Sequence, residues 1–161
     1  IHRVPARVKG DGCRTVEALI DAENAQPWRG EAYKTKLSTI DVERARTFLG
    51  EVMTNVPTDG EYVTVAGVAN YGAGGELIDV TDETPEWMRD EAIEIARVLE
   101  LPVAGVDYIV SRALVADMPK GIETATVVEV NKSPSLCIHD EPTVGMNRQA
   151  TVAYIDYLAS L

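Results

Sequence analysis

The 161-residue sequence predicts an α+β fold, an antiparallel sheet with packed helices, on three observations. Two apolar strands, over 105–110 and 126–134, are joined by residues 111–123, too short a link for a helical crossover, so they pair antiparallel. Apolar residues recur at helical spacing in several other stretches, which predicts amphipathic helices that must bury one face. The opening segment, about 1–8, alternates apolar and polar side chains, the period of a strand with one covered face.

Each element has its own local cause. Gly10-Asp11-Gly12 breaks the opening strand. Thr15 then caps a short helix whose apolar face is Val16, Leu19 and Ile20. Residues 24–33 hold turn formers with large side chains, Trp28 and Tyr33, and read as an ordered loop. Asp41 caps a second helix with Val42, Ala45, Phe48, Leu49 and Val52 on one face, and residues 57–60 make a turn. A strand over about 62–68 leads into the glycine-rich run 70–75 and a short apolar stretch, 77–80. Thr84 caps a helix over about 85–100, with Pro85 at its first position and Met88, Ala92, Ile95, Ala96 and Leu99 as its buried stripe. A last helix, about 147–161, packs Ala150, Ala153, Tyr154, Tyr157, Leu158 and Leu161. One domain over 1–161 is expected, with 45% hydrophobic residues supplying the core.

Charge and composition exclude several functions. A net charge of −11 argues against nucleic acid or an anionic membrane as partner. The first 36 residues are the exception, with seven Lys or Arg (Arg3, Arg7, Lys9, Arg14, Arg29, Lys34 and Lys36) against five acids. Such a cluster either faces an anion or forms a solvated surface. No apolar run approaches the roughly 20 residues that span a bilayer and no signal-peptide pattern opens the chain, so a cytoplasmic location is expected. Cys13 and Cys137 lack metal or redox spacing and read as reduced thiols. His2, His139, Trp28 and Trp87 have no partner pattern for acid-base work or base stacking and read as structural. The opening without methionine, inside a strand, reads as a piece of a longer protein.

Two strands carry carboxylates among branched apolar residues: Asp107 on one, Glu129 with Asn131 on the other. Strand alternation puts Glu129 and Asn131 on one face, with Val128 and Val130 on the other. Hard oxygen ligands of this kind suit a magnesium ion that completes its octahedron with waters and phosphates. A solvated strand face is the alternative.

Four stretches carry a resemblance, in order along nearly the whole chain: Arg3 to Gly12 with Thr15 and Val16; Asn24 to Pro27 with Arg29 and Gly30; Asn70 to Gly75 with Ile78 to Asp82; and Ala104 to Asp107 followed by Glu129 to Pro134. Together they resemble the carboxyl-terminal half of an ATP-grasp ligase domain, the kind found in cyanophycin synthetases and bifunctional glutathione-forming ligases. The resemblance implies a ligase that uses ATP and Mg2+ to activate a carboxylate as an acyl phosphate, which an amine attacks. It implies amino-acid or peptide substrates, Asp107, Glu129 and Asn131 as magnesium ligands, and Arg3 near the reacting phosphate; a homo-oligomer is left open as an assembly.

The same resemblance assigns Asn70, Gly74 and Gly75 to an acyl-phosphate loop, where glycine would let backbone N–H groups approach phosphate oxygens. A plain turn between strands is the alternative. The sequence departs from the family in having Ala66 to Ala69 where many relatives carry an arginine before the asparagine, and Ser135 where they have glycine. The lid lysine and adenine-binding hinge lie upstream in the family, so the 161 residues alone are expected to be inactive. A non-catalytic, degenerate ATP-grasp module for binding or assembly is the competing function. The glycines do not form G-x-G-x-x-G between a strand and a helix, which argues against a dinucleotide site.

Overall fold

In the computed structural model, residues 1–31, 36–111, 115–121 and 123–161 are described. Tyr33 and Lys34, singled out above, lie outside them. The chain divides into two compact units, one of residues 1–79 with 141–146, the other of 80–140 with 147–161.

In the first unit, the expected opening strand is two strands, β1 (His2–Val4) and β2 (Arg7–Lys9). Pro5 stands between them, and without an N–H it cannot continue a ladder. Each strand then takes its own antiparallel partner: β1 pairs with β6 (Glu76–Ile78) and β2 with β5 (Tyr62–Thr64). The hydroxyl of Thr143 donates to Leu77 O at 2.6 Å and Val144 bridges Ile78 in parallel, so the 143–144 segment extends the edge of β6.

Helix α1 (Val16–Asn24) starts as expected, with Thr15 Oγ1 accepting from Ala18 N at 3.3 Å. Val16, Leu19 and Ile20 are buried and join Ala6, Val8, Ile40, Ala45, Met53 and Val65 in one core. Helix α2 (Val42–Leu49) starts on Asp41, whose carboxylate accepts from Arg44 N, and Gly50–Thr54 continues it as a 3-10 turn. Between the helices lie β3 (Arg29–Gly30) and β4 (Leu37–Ser38), a short parallel pair inside the stretch expected to be a loop.

In the second unit, α3 (Glu86–Val98) begins one residue later than expected. Pro85 is its N-cap, and the Thr84 hydroxyl donates back to Val80 O at 2.7 Å instead of capping the helix. Met88 is buried, whereas Leu99 is exposed. Strands β7 (Gly105–Val110) and β8 (Ala125–Asn131) pair antiparallel, as their short link requires. Helix α4 (Cys137–Asp140) precedes α5 (Ala150–Ala159), whose first amides are capped by the Asp140 carboxylate, Ala150 N donating to Oδ1 at 2.6 Å. The expected packing of α5 is not seen: Tyr154, Tyr157, Leu158 and Leu161 are all exposed. Its apolar spacing is real, but no described element of its unit covers it. Among the described residues no helix is long and apolar enough to cross a membrane.

Candidate functional site

The acidic set stands on β7 and β8. Asp107 is directly opposite Glu129, and Asn131 is opposite Gly105. Residues opposed across an antiparallel ladder share a face, with Cβ atoms about 5 Å apart. Asp107, Glu129 and Asn131 therefore share one face. Gly105 lets Pro134 pack closely beside Asn131: a Cβ there would come 2.9 Å from Pro134 Cβ.

The register shifts between Asp107 and Tyr108, leaving Val128 as the extra residue of a β-bulge. This corrects the expectation that Val128 and Val130 share a face. Strict alternation would set Val127 beside Glu129, but the bulge turns Val127 to the face of Tyr108 and Val130 and leaves Val128 55% exposed. The bulge thereby keeps Asp107, Glu129 and Asn131 on one face and Tyr108, Val127 and Val130 on the other.

Tyr108 anchors the apolar face to α3. Its hydroxyl donates to Glu91 Oε2 at 3.1 Å, and burial followed by that bond pushes the phenol well above its ordinary value. Lys120 pairs with Glu91 at 2.9 Å and, as the largest cause, holds that carboxyl below its usual range. Trp87 Nε1 donates to Met118 O at 2.7 Å, which ties the same helix to the 115–121 segment. β7 is thus fixed from behind.

Two carboxylates and a carboxamide are a hard-oxygen set that fits a magnesium ion sharing its sphere with phosphate and water. Among the described residues no three His, Cys, Asp or Glu side chains cluster as a metal site, so Asn131 is needed as the third protein ligand in such a set.

The other predicted residues lie in the first unit. Arg3 is an exposed residue of β1, opposite Leu77. Gly75 is packed against the next residue: a Cβ would lie 2.7 Å from Val4 O and 2.8 Å from Asn70 O. The structure therefore seats the glycine run beside the strand that carries Arg3.

Within that run the backbone is self-satisfied. Asn70 Oδ1 accepts from Gly72 N at 2.8 Å, and Asn70 O accepts from Ala73 N and Gly75 N, while Tyr71 O accepts from Gly74 N. The amides of residues 72–75 are all engaged inside the turn. The turn exposes the Asn70 carboxamide, whose Oδ1 is taken by Gly72 N.

Three of the seven bases in the first 36 residues are seen in ion pairs among the described residues. Arg7 pairs with Glu76, Arg14 with Asp11 and Arg29 with Glu23. Arg29 is the residue sequence reasoning passed over, buried with its guanidinium on Gly74 O. Its signal was the Asn24 to Gly30 stretch, which carried resemblance but no chemical role.

No family model matches the chain. The glutathione biosynthesis bifunctional protein GshAB of Desulfotalea psychrophila is 31% identical over 162 residues, covering 98% of this chain and 20% of its own length. The cyanophycin synthetase of Crocosphaera subtropica is 33% identical over 168 residues, covering 98% of this chain and 18% of its own length. A bifunctional glutathione synthetase from Pasteurella multocida superposes with a TM-score of 0.79 at 28% identity, over 99% of this chain and 22% of that one. The chain spans about a fifth of the length of the curated relatives it matches. With its α+β architecture, the chain is similar over nearly its whole length to one segment of bifunctional glutathione synthetases and of cyanophycin synthetases.

Proposed function

We propose that residues 1–161 are the carboxyl-terminal portion of one ATP-grasp domain in an ATP-dependent carboxylate-amine ligase. The observation that carries this reading is the single face shared by Asp107, Glu129 and Asn131, at positions that match the family pattern. In the reaction a substrate carboxylate oxygen attacks the γ-phosphorus of ATP and ADP leaves. An amine nitrogen then attacks the acyl carbon, phosphate departs and the amine proton goes to solvent.

Phosphoryl transfer needs positioning and charge neutralisation more than covalent help. Asp107, Glu129 and Asn131 would hold magnesium, which would neutralise charge on the ATP phosphates. Arg3 supplies a fixed positive charge toward the transferring phosphoryl group, and the Asn70 carboxamide offers an N–H donor to the acyl phosphate. The substrates are an amino acid or peptide carboxylate and an amine, as in the relatives' named products.

The test is ATP turnover by the full-length protein. Glu129→Gln keeps the shape of the side chain and removes its charge, and should abolish substrate-dependent ADP release. The 161-residue chain alone should release no ADP. Retained turnover in the Gln variant, or release by the isolated chain, would overturn the reading. The competing module for binding or assembly draws support from Ala66 to Ala69, where relatives carry an arginine. It requires the protein's function to survive Glu129→Gln.

A further inference from the structure

The Asn24 to Gly30 stretch sits behind the glycine turn. Arg29 has a side chain only 1% exposed, and a buried guanidinium must be paired or hydrogen-bonded to be tolerated. Its Nε donates to Glu23 Oε1 at 2.9 Å. Its Nη1 donates to two carbonyls, Ser38 O at 2.9 Å and Gly74 O at 3.0 Å, 45 residues away in sequence.

Asn24 acts on the same turn from another side. Its carboxamide clamps the backbone of Ile40 in both directions, Nδ2 donating to Ile40 O at 2.9 Å and Oδ1 accepting from Ile40 N at 2.8 Å. Ile40 is the wall against which Gly74 rests: at φ +87°, a Cβ on Gly74 would be 3.0 Å from Ile40 Cγ1. The left-handed conformation and the missing Cβ are both required there.

With Gly74 O held from below and its α-carbon pressed on Ile40, the turn has one orientation. That orientation carries through the bonds from Ala73 and Gly75 to Asn70 O, and from Gly72 to Asn70 Oδ1, to the exposed Asn70 carboxamide. We propose that Asn24 and Arg29 are positioning residues that set the 70–75 turn so that the Asn70 N–H donor meets the acyl phosphate. This rests on the ligase reading of that turn.

Arg29→Lys tests it in the full-length ligase. Lysine keeps the charge, but a single ammonium cannot span Glu23, Ser38 O and Gly74 O as the planar fork does. Loss of alignment at the reacting centre lowers kcat by about 10²-fold. The KM for ATP should stay within about twofold, because the nucleotide phosphates are held elsewhere. Asn24→Asp, which replaces the donor to Ile40 O with a carboxylate oxygen that repels it, should lower kcat by about tenfold in the same pattern. Guanidinium ion should restore part of the activity of Arg29→Ala. Kinetics matching the unmodified enzyme in Arg29→Lys and Asn24→Asp would overturn the positioning role. So would a loss that tracks only the lowered melting temperature. Absence of ADP release from the unmodified enzyme would instead strike the ligase reading itself.

Discussion

Arg7 of β2 and Glu76 of β6 form a two-pronged ion pair that joins two separate strand pairs, Nε to Oε1 at 3.0 Å and Nη2 to Oε2 at 2.7 Å. The guanidinium also lies 4.5 Å from the centre of the Tyr62 ring on β5. Glu76 is the more covered partner, at 16% exposure against 30% for Arg7. The pair is therefore worth more than an open surface bridge and less than a fully buried one. A double-mutant cycle of Arg7→Met and Glu76→Gln, read by urea unfolding, should give a coupling of about 1 kcal/mol. Additive losses would show that the two strand pairs are held independently.

The bulge makes neighbouring valines unequal. Val128 is exposed, so Val128→Lys should change stability by no more than about 0.5 kcal/mol. Val127 is half-buried on the Tyr108 face, and Val127→Lys should cost about 1–3 kcal/mol. Strict alternation predicts the reverse order, so thermal denaturation of the two variants decides the register.

Gly75 has no room for a side chain. Its Cβ would stand 2.7 Å from Val4 O and 2.8 Å from Asn70 O, both backbone atoms that cannot swing aside. Gly75→Ala should cost about 1–3 kcal/mol and loosen the turn. Gly60→Ala is a useful comparison, since its added Cβ meets nothing within 4 Å and its cost is that of the positive φ alone. Equal losses in the two variants would remove the case for tight packing of the turn on β1.

Asp11 sets an acid limit on the 10–14 turn. Its carboxylate accepts from the backbone of Arg14 at 2.8 Å and of Cys13 at 2.9 Å and pairs with the Arg14 side chain at 2.6 Å. The Arg14 backbone bond is the largest cause that lowers its pKa from 3.8 to about 2. Because the folded value lies below the unfolded one, this stabilisation is complete above 3.8 and is lost as pH falls through about 2. An NMR titration of the Asp11 carboxyl should find its midpoint near 2, and Asp11→Asn should remove that share of the acid sensitivity. An ordinary midpoint near 3.8 would show that the turn is open in solution.

Much of the fold was legible because its causes are local. Thr15 and Asp41 announce helix starts, since a capping side chain bonds an amide only three residues on. The link over 111–123 forced antiparallel pairing of the acidic strands. The ordered motifs identified the relatives and named Asp107, Glu129 and Asn131. What the sequence by itself determined, then, is where these helices start, how the acidic strands pair and which proteins the chain resembles.

Only the tertiary structure decided how those residues are presented. The Val128 bulge cannot be read from a valine among valines, because it depends on which cross-strand partner each residue meets. Nor can the turn at 70–75 reveal that its amides are consumed internally. The role of Arg29 rests on a carbonyl 45 residues away, and burial of a charge is decided by what surrounds it. The exposure of α5 has the same origin: helical spacing makes an apolar face, but only a neighbour can cover it.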